Sequence, residues 1–279
     1  MLIYWKVFSK KSMTKIIAEI GWNHMGDIKL AKKMIFEAKR NGADLVKTQV
    51  FNTKNLKEGP WDKDGRREIY EKAQLDEEKI KKLYEYAKKI KCIFFASAMS
   101  VEDAKLIRKI NNKLIKIPSM ESRNTLLIDY CTKNFENIII STGTSTFKEI
   151  LNSCKNIPKK KLSILHCVSS YPCKFSNINL PKIIELRKKF KNVGLSDHTE
   201  GIKAAVLSLK YEPIFIEKHF TIDKSLPGRD NKFAILPNEL KLLKNYIKTN
   251  NEINKFKGKD YLNCEIEARK VYSGRWDKK

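Results

Sequence analysis

Eight times between residues 15 and 217, a short apolar run gives way to an amphipathic helical stretch or a crossover, and this alternation leaves few folds open. The apolar runs predict strands at 15–20, 44–49, 92–96, 114–117, 137–141, 162–167, 192–195 and 213–217. Helices are predicted at 27–41, 76–90, 101–110, 124–133, 180–191 and 200–209, with a short crossover at 146–152 and a last helix from 237 to about 248. Residues 54–74 read as a long loop. Strands that each lead into a helix describe a single (β/α)8 TIM barrel of the α/β class, whose loops after the strands build the active site. An open doubly wound sheet is the competing fold. It would carry a Gly-rich phosphate fingerprint after the first strand, and GWNHMG at 21–26 does not fit one.

A chain of 279 residues suits one such barrel, which needs about 250. No Pro/Gly/Ser-rich linker interrupts it, so residues 1–14 read as an N-terminal extension, 15–250 as the barrel and 251–279 as a polar C-terminal tail. No apolar run approaches the ~20 residues needed to span a bilayer, and MLIYWKVFSKKSM lacks the leading basic region and cleavage site of a signal peptide. The six cysteines form no CxxC pair, and Cys92 and Cys167 lie within apolar runs, which fits a reducing compartment. A cytoplasmic location is expected. The net charge of +25 is spread as lysine over helix faces, without a nucleic-acid motif, so neither nucleic acid nor a membrane is expected as a partner.

The polar residues at and just beyond the strand ends carry the chemistry. Strand by strand, they are Glu19; Lys47 and Gln49; Ser97; Lys116, Ser119 and Glu121; Ser141-Thr142-Gly143; His166, Ser169 and Tyr171; Ser196, Asp197 and His198; Glu217, Lys218 and His219. A barrel gathers these ends into one ring, and lysines, hydroxyls, carboxylates and imidazoles together suit an anionic, phosphorylated substrate beside a metal ion. His198 and His219 are the candidate ligands, since two imidazoles favour Mn, Zn or Fe over Mg or Ca. Structural readings compete. Lys47 and Lys116 could snorkel or pair with Glu19 and Glu121, and Ser141-Thr142-Gly143 is read as a cap for the following helix.

The segments AEIGWNHMGD (18–27), GADLVKTQVF (42–51), FFASAM (94–99), KIPSMESRN (116–124), ISTGTST (140–146), LHCVSSYP (165–172), GLSDHTEG (194–201) and IEKHFTIDKSLPGRD (216–230) resemble, in order and without gaps, the sialic acid synthase family. The resemblance implies condensation of phosphoenolpyruvate with N-acetylmannosamine or a related amino sugar, with or without a 6-phosphate, to give a nonulosonic acid such as sialic, legionaminic or pseudaminic acid. By position, it implies that His198 and His219 hold a divalent metal, Mn foremost with Mg, Zn or Co as alternatives. Lys47, Ser97, Lys116, Ser119, Ser169 and Ser196 would hold phosphoenolpyruvate. Glu19, Tyr171 and Asp230 would face the sugar, and Glu121 would handle the water that attacks C2; Glu19 and Glu121 are thus the expected catalytic carboxylates.

Three departures from the family pattern accompany the resemblance. Ser169 stands where many members have asparagine, and FFASAM replaces the commoner bacterial FxSTPF, nearer to the animal branch that uses a phosphorylated sugar. Residues 251–279 are too few for the C-terminal antifreeze-like domain that most members carry, so a homodimer and a separate cap-domain polypeptide are the candidate protein partners. Two other functions stay open: a catalytically weak barrel acting as a sugar-binding or assembly subunit, and a metal-dependent aldolase.

Overall fold

The computed structural model describes residues 13–276, so most of the expected N-terminal extension lies outside the described residues. Eight strands, β1 (Lys15–Gly21), β2 (Leu45–Val50), β3 (Ile93–Ala98), β4 (Leu114–Ile117), β5 (Asn137–Ser141), β6 (Leu162–Cys167), β7 (Val193–Asp197) and β8 (Phe215–His219), close into a barrel in sequence order. All neighbours are parallel, and β8 returns to pair with β1 from Lys15↔Phe215 to Glu19↔His219. The expected (β/α)8 barrel is therefore the fold.

Helices α1 (Ile28–Arg40), α2 (Arg66–Ala73), α3 (Glu77–Lys89), α4 (Val101–Ile110), α5 (Thr125–Asn134), α6 (Phe147–Cys154), α7 (Lys182–Arg187), α8 (Lys203–Leu207) and α9 (Pro237–Ile253) surround it. Their starts are locally encoded: the side chains of Asp27, Asp76, Ser100, Asn124 and Thr146 each accept a hydrogen bond from a backbone N–H of the first turn. Helices α7 and α8 are shorter than expected, and α9 is longer. The stretch 54–74 is not structureless, because α2 lies within it. The tail carries a short exposed helix, α10 (Ile266–Tyr272).

Strand periodicity sorts the core into two layers. Ile16, Ala18, Val46, Phe94, Ile115, Ile138, Ile164, Leu195 and Ile216 point outward against the helices. Ile17, Leu45, Phe95, Leu114, Ile139, Leu165 and Phe215 fill the barrel interior. Only glycine fits at 194 in that interior, since a Cβ there would come within 2.6 Å of the Phe215 carbonyl oxygen. Side chains two residues apart on a strand share a face, so the position two beyond each interior residue also points inward, one layer nearer the C-terminal mouth. Those positions are Glu19, Lys47, Ser97, Lys116, Ser141, Cys167, Ser196 and Glu217. They form a buried polar floor under the mouth.

Candidate active site

The floor is held by ion pairs across the barrel. Glu19 pairs with Lys47 from the neighbouring strand. Lys116 Nζ donates to both oxygens of Glu217 at 2.8 and 3.0 Å, and Ser196 Oγ donates to Glu217 Oε1 at 3.1 Å. Lys47 Nζ stands 3.9 Å from Glu217, which links the two pairs. Burial opposes the charge on Glu217, but Lys116 and Lys47 outweigh it and hold the carboxyl below the usual carboxylate range. Burial pulls Lys47 down to about 7, against the attraction of Glu217. The expected pairing of Lys116 with Glu121 is not formed. Glu121 lies on the turn beyond β4, outside the barrel, where its Oε2 accepts from Asn124 Nδ2 at 2.8 Å.

Hydroxyls and one thiol complete one side of the floor. Ser119 Oγ donates to Cys167 Sγ at 3.3 Å and accepts the Gly143 N–H at 3.0 Å. A Cβ on residue 143 would meet Ser169 Oγ at 2.2 Å and Ser119 Oγ at 2.8 Å, so the glycine lets the backbone approach these hydroxyls. Ser141 Oγ is buried and has no hydrogen-bond partner. The Ser-Thr-Gly stretch is therefore not the cap of the next helix: Thr146 caps α6, in a box with Glu149. Ser97 Oγ makes only a long contact to the Thr48 carbonyl, at 3.4 Å.

One step up, the two histidines meet, their ring centroids 5.5 Å apart. Tyr171 lies 4.2 Å from the His198 ring and 6.2 Å from that of His219. His198 Nδ1 lies 2.9 Å from the Val168 carbonyl, to which it must donate, so in the neutral ring the lone pair is on Nε2. Burial and the neighbouring His198 keep the His219 pKa well below the usual imidazole range, so His219 is neutral, and its buried Nδ1 lacks a hydrogen-bond partner. Against burial, the Cys167 thiol 3.8 Å from Nδ1 raises the His198 pKa, so His198 gives up a proton to serve as a ligand; as two imidazole donors the pair fits a divalent ion of the Mn, Zn or Co kind. Among the described residues no cluster of three or more His, Cys, Asp or Glu side chains is arranged around a metal, so an ion here would keep positions open for water or substrate.

Above the histidines opens a cleft of about 800 Å³, lined by Glu121, Tyr171, His219 and Asp230 and walled by aromatic residues of the loops after β1 and β2, including Trp22 and Tyr70. Asp230 Oδ2 stands 3.6 Å from His219 Nδ1, and burial raises the Asp230 pKa to about 6 against a hydrogen bond from Trp22. Of the residues expected at the site, Glu121, Tyr171, Asp230 and His219 face this cleft, with His198 packed on Tyr171. Lys47, Ser97, Lys116, Ser119 and Ser196 lie in or beside the floor, and so does Glu19, expected to face the sugar but locked to Lys47. Three floor residues are not among those expected at the site, Ser141, Cys167 and Glu217. Counting two positions on from the interior Ile139, Leu165 and Phe215 finds all three.

The other two histidines are structural. His24 is buried, accepts the Gly26 N–H on Nδ1 at 3.0 Å and is held neutral by burial, at a pKa of about 4. His166 points outward and bonds the Ile178 carbonyl through Nε2 at 2.7 Å.

A parallel barrel with charged residues at the strand C-termini and a cleft above them has the architecture of a barrel enzyme. The chain belongs to the NeuB family, whose sequence profile matches residues 34–259. It is 37% identical over 247 residues, 82% of this chain and 74% of the relative, to the N,N'-diacetyllegionaminic acid synthase of Campylobacter jejuni. It is 32% identical to the N-acetylneuraminate-9-phosphate synthase of Drosophila melanogaster, over 82% of this chain and 65% of that one. Among solved structures, the N-acetylneuraminic acid synthetase of Leptospira borgpetersenii superposes with a TM-score of 0.83 at 30% identity, covering 94% of this chain and 93% of the other. Among the described residues, no helix is long and apolar enough to cross a membrane.

Proposed function

We propose that this chain condenses phosphoenolpyruvate with the open-chain aldehyde of an amino sugar, releasing phosphate and forming a nonulosonic acid. The observation that carries the reading is the floor itself: two lysines buried side by side, next to hydroxyls and an N–H that converge from β4, β5 and β6. Glu19 and Glu217 balance the lysine charges, but Ser141 Oγ and Ser169 Oγ are buried with no hydrogen-bond partner, a cost of about 1–3 kcal/mol each that an anionic ligand would remove. Relatives whose names make them synthases of legionaminic, pseudaminic and N-acetylneuraminic acids support the reaction class.

Lys47 and Lys116 would meet the carboxylate and phosphate of phosphoenolpyruvate, with Ser97, Ser119, Ser169 and Ser196 as hydrogen-bond partners. Ser141 Oγ and the Gly143 N–H add donors that suit a phosphate oxygen. The sugar would occupy the cleft, between Tyr171 and the carboxylates of Asp230 and Glu121. His198 and His219 would hold a divalent ion, Mn or a similar metal, which supplies Lewis-acid polarisation of the aldehyde. C3 of the enol then attacks the aldehyde carbon and water adds at C2 with Glu121 positioned to take its proton. The tetrahedral intermediate collapses, breaking its C–O bond to phosphate. Glu19 acts from below by holding Lys47 in place. No covalent enzyme intermediate is required, so the protein's share is positioning and charge stabilisation.

Measuring phosphate release from phosphoenolpyruvate across a panel of N-acylated amino sugars with Mn tests the reading. Phosphate should appear in proportion to sugar consumed. Sugar-independent release, or cleavage of a nonulosonic acid without phosphoenolpyruvate, would instead mark a hydrolase or an aldolase.

A further inference from the structure

Behind the two imidazoles, on the side of the strands that faces the helices, lies a second charged pair. Asp197 and Lys218 are register partners on β7 and β8, and each immediately precedes one of the histidines. Strand alternation turns them outward, into the layer occupied by Val193, Leu195 and Ile216. Their side chains are 0% and 2% exposed, so neither can reach a substrate in the cleft. Lys218 Nζ donates to Asp197 Oδ2 at 3.1 Å and to the Thr199 carbonyl at 2.5 Å, and Asp197 Oδ1 accepts the Thr199 N–H at 2.8 Å. His198 is thus bracketed. The residues on both sides of it are bonded to the side chain that precedes His219.

Stability alone is a weak reason for this arrangement, because removing two charges from water is unfavourable and an apolar pair of similar volume often serves as well. An apolar pair would not impose a hydrogen-bonded length between the two strand ends. The β7–β8 register ends at Asp197↔Lys218, so no ladder pairing holds His198 against His219 beyond it. The carbonyls of the histidines are tied separately, His198 to the Cys173 N–H at 2.9 Å and His219 to the Ile235 N–H at 2.8 Å. Besides the packing of the two imidazoles on each other and of Tyr171 on both, the Asp197–Lys218–Thr199 ring is a hydrogen-bonded connection that runs from one histidine segment to the other.

We infer that Asp197 and Lys218 are positioning residues that set the separation of His198 and His219, and through it the affinity for a divalent ion. The inference rests on reading the two histidines as metal ligands. The variant Asp197→Asn/Lys218→Met removes both charges together, leaves no unpaired buried charge and keeps an oxygen for the Thr199 N–H. The probes are Mn²⁺, titrated by the electron paramagnetic resonance signal of the free ion, and Co²⁺, followed by its visible absorption. Mn²⁺ should bind about 10- to 100-fold more weakly than to the native chain, the range usual for losing a partner one step out from a ligand. The Co²⁺ spectrum should change, while phosphoenolpyruvate affinity by calorimetry stays within about threefold, and Lys218→Arg should recover most of the metal affinity. Metal affinity within threefold of native in the folded double variant overturns the inference. So does parallel loss of metal and phosphoenolpyruvate binding, which would mark a merely structural pair. Asp197→Asn alone is read by the same thresholds if the double variant does not fold. If the native chain binds no Co²⁺, or His198→Ala binds it unchanged, the ligand reading itself falls and takes this inference with it.

Discussion

Lys116 offers the sharpest separation between a lysine that binds substrate and one that merely neutralises a carboxylate. Its ammonium makes two contacts with Glu217, both at 3.0 Å or less, while Lys47 stands farther from that carboxylate and Ser196 adds one hydrogen bond. Replacing Lys116 by Met strands a buried carboxylate. Breaking a buried pair in this way costs about 3–5 kcal/mol, and the remaining contacts put this case at the lower end, about 3 kcal/mol of folding stability. In Lys116→Met/Glu217→Gln the stranded charge is gone, so urea denaturation should return most of that stability. Phosphoenolpyruvate binding should not return. Relative to Glu217→Gln alone, the double variant still lacks a desolvated, charge-assisted contact worth about 2–4 kcal/mol, or roughly 30- to 700-fold in Kd by calorimetry. Comparing two variants that both lack the Glu217 charge cancels its direct repulsion of the anion. An affinity within about threefold of Glu217→Gln would refute the assignment and reduce Lys116 to the counter-ion of Glu217.

The remaining predictions concern the metal, the floor and acid stability. His198→Ala and His219→Ala should each abolish Mn-stimulated phosphate release while thermal midpoints shift by only a few degrees, because both residues lie at the functional face of the barrel; full Mn-dependent turnover in either variant would remove the metal assignment. Gly143→Ala places a methyl group against the hydroxyls of Ser169 and Ser119, and should cost about 1–3 kcal/mol by overpacking and weaken phosphoenolpyruvate binding in calorimetry. Unchanged affinity would mean that the floor hydroxyls do not meet the ligand. The His24 pKa is about 4 in the folded chain against 6.5 ordinarily, so the unfolded chain takes up this proton first and stability falls with pH from above 6.5 down to about 4. At 1.36 kcal/mol per unit the loss is about 3 kcal/mol, and His24→Gln should flatten that part of a urea-midpoint-versus-pH curve; an unchanged slope would locate the acid lability elsewhere.

The eightfold alternation alone determined the number of strands, their order and the face that carries the chemistry, because apolar periodicity and capping side chains act over a few residues. Asp27, Asp76 and Asn124 were legible as helix starts for that reason, and His198 and His219 as neighbours because consecutive strands of a barrel are adjacent. Strand ends were less legible. β7 and β8 run two residues past the expected limits, through Asp197 and His219, because hydrogen bonds from the next strand, and not local propensity, decide where a ladder stops. Pairing was legible only in part: Glu19, the partner expected for Lys47, is one, but Glu121, the partner expected for Lys116, is not. Lys116 meets Glu217, 101 residues away, and not the nearby Glu121, since barrel closure brings β4 and β8 side chains together in the interior while the turn after β4 carries Glu121 outside. The same closure places Glu19 in the floor, brings Cys167 to Ser119, and sets the Asp197–Lys218 pair behind the histidines. Local sequence decides which way a side chain points, but only the closed barrel decides what it meets there.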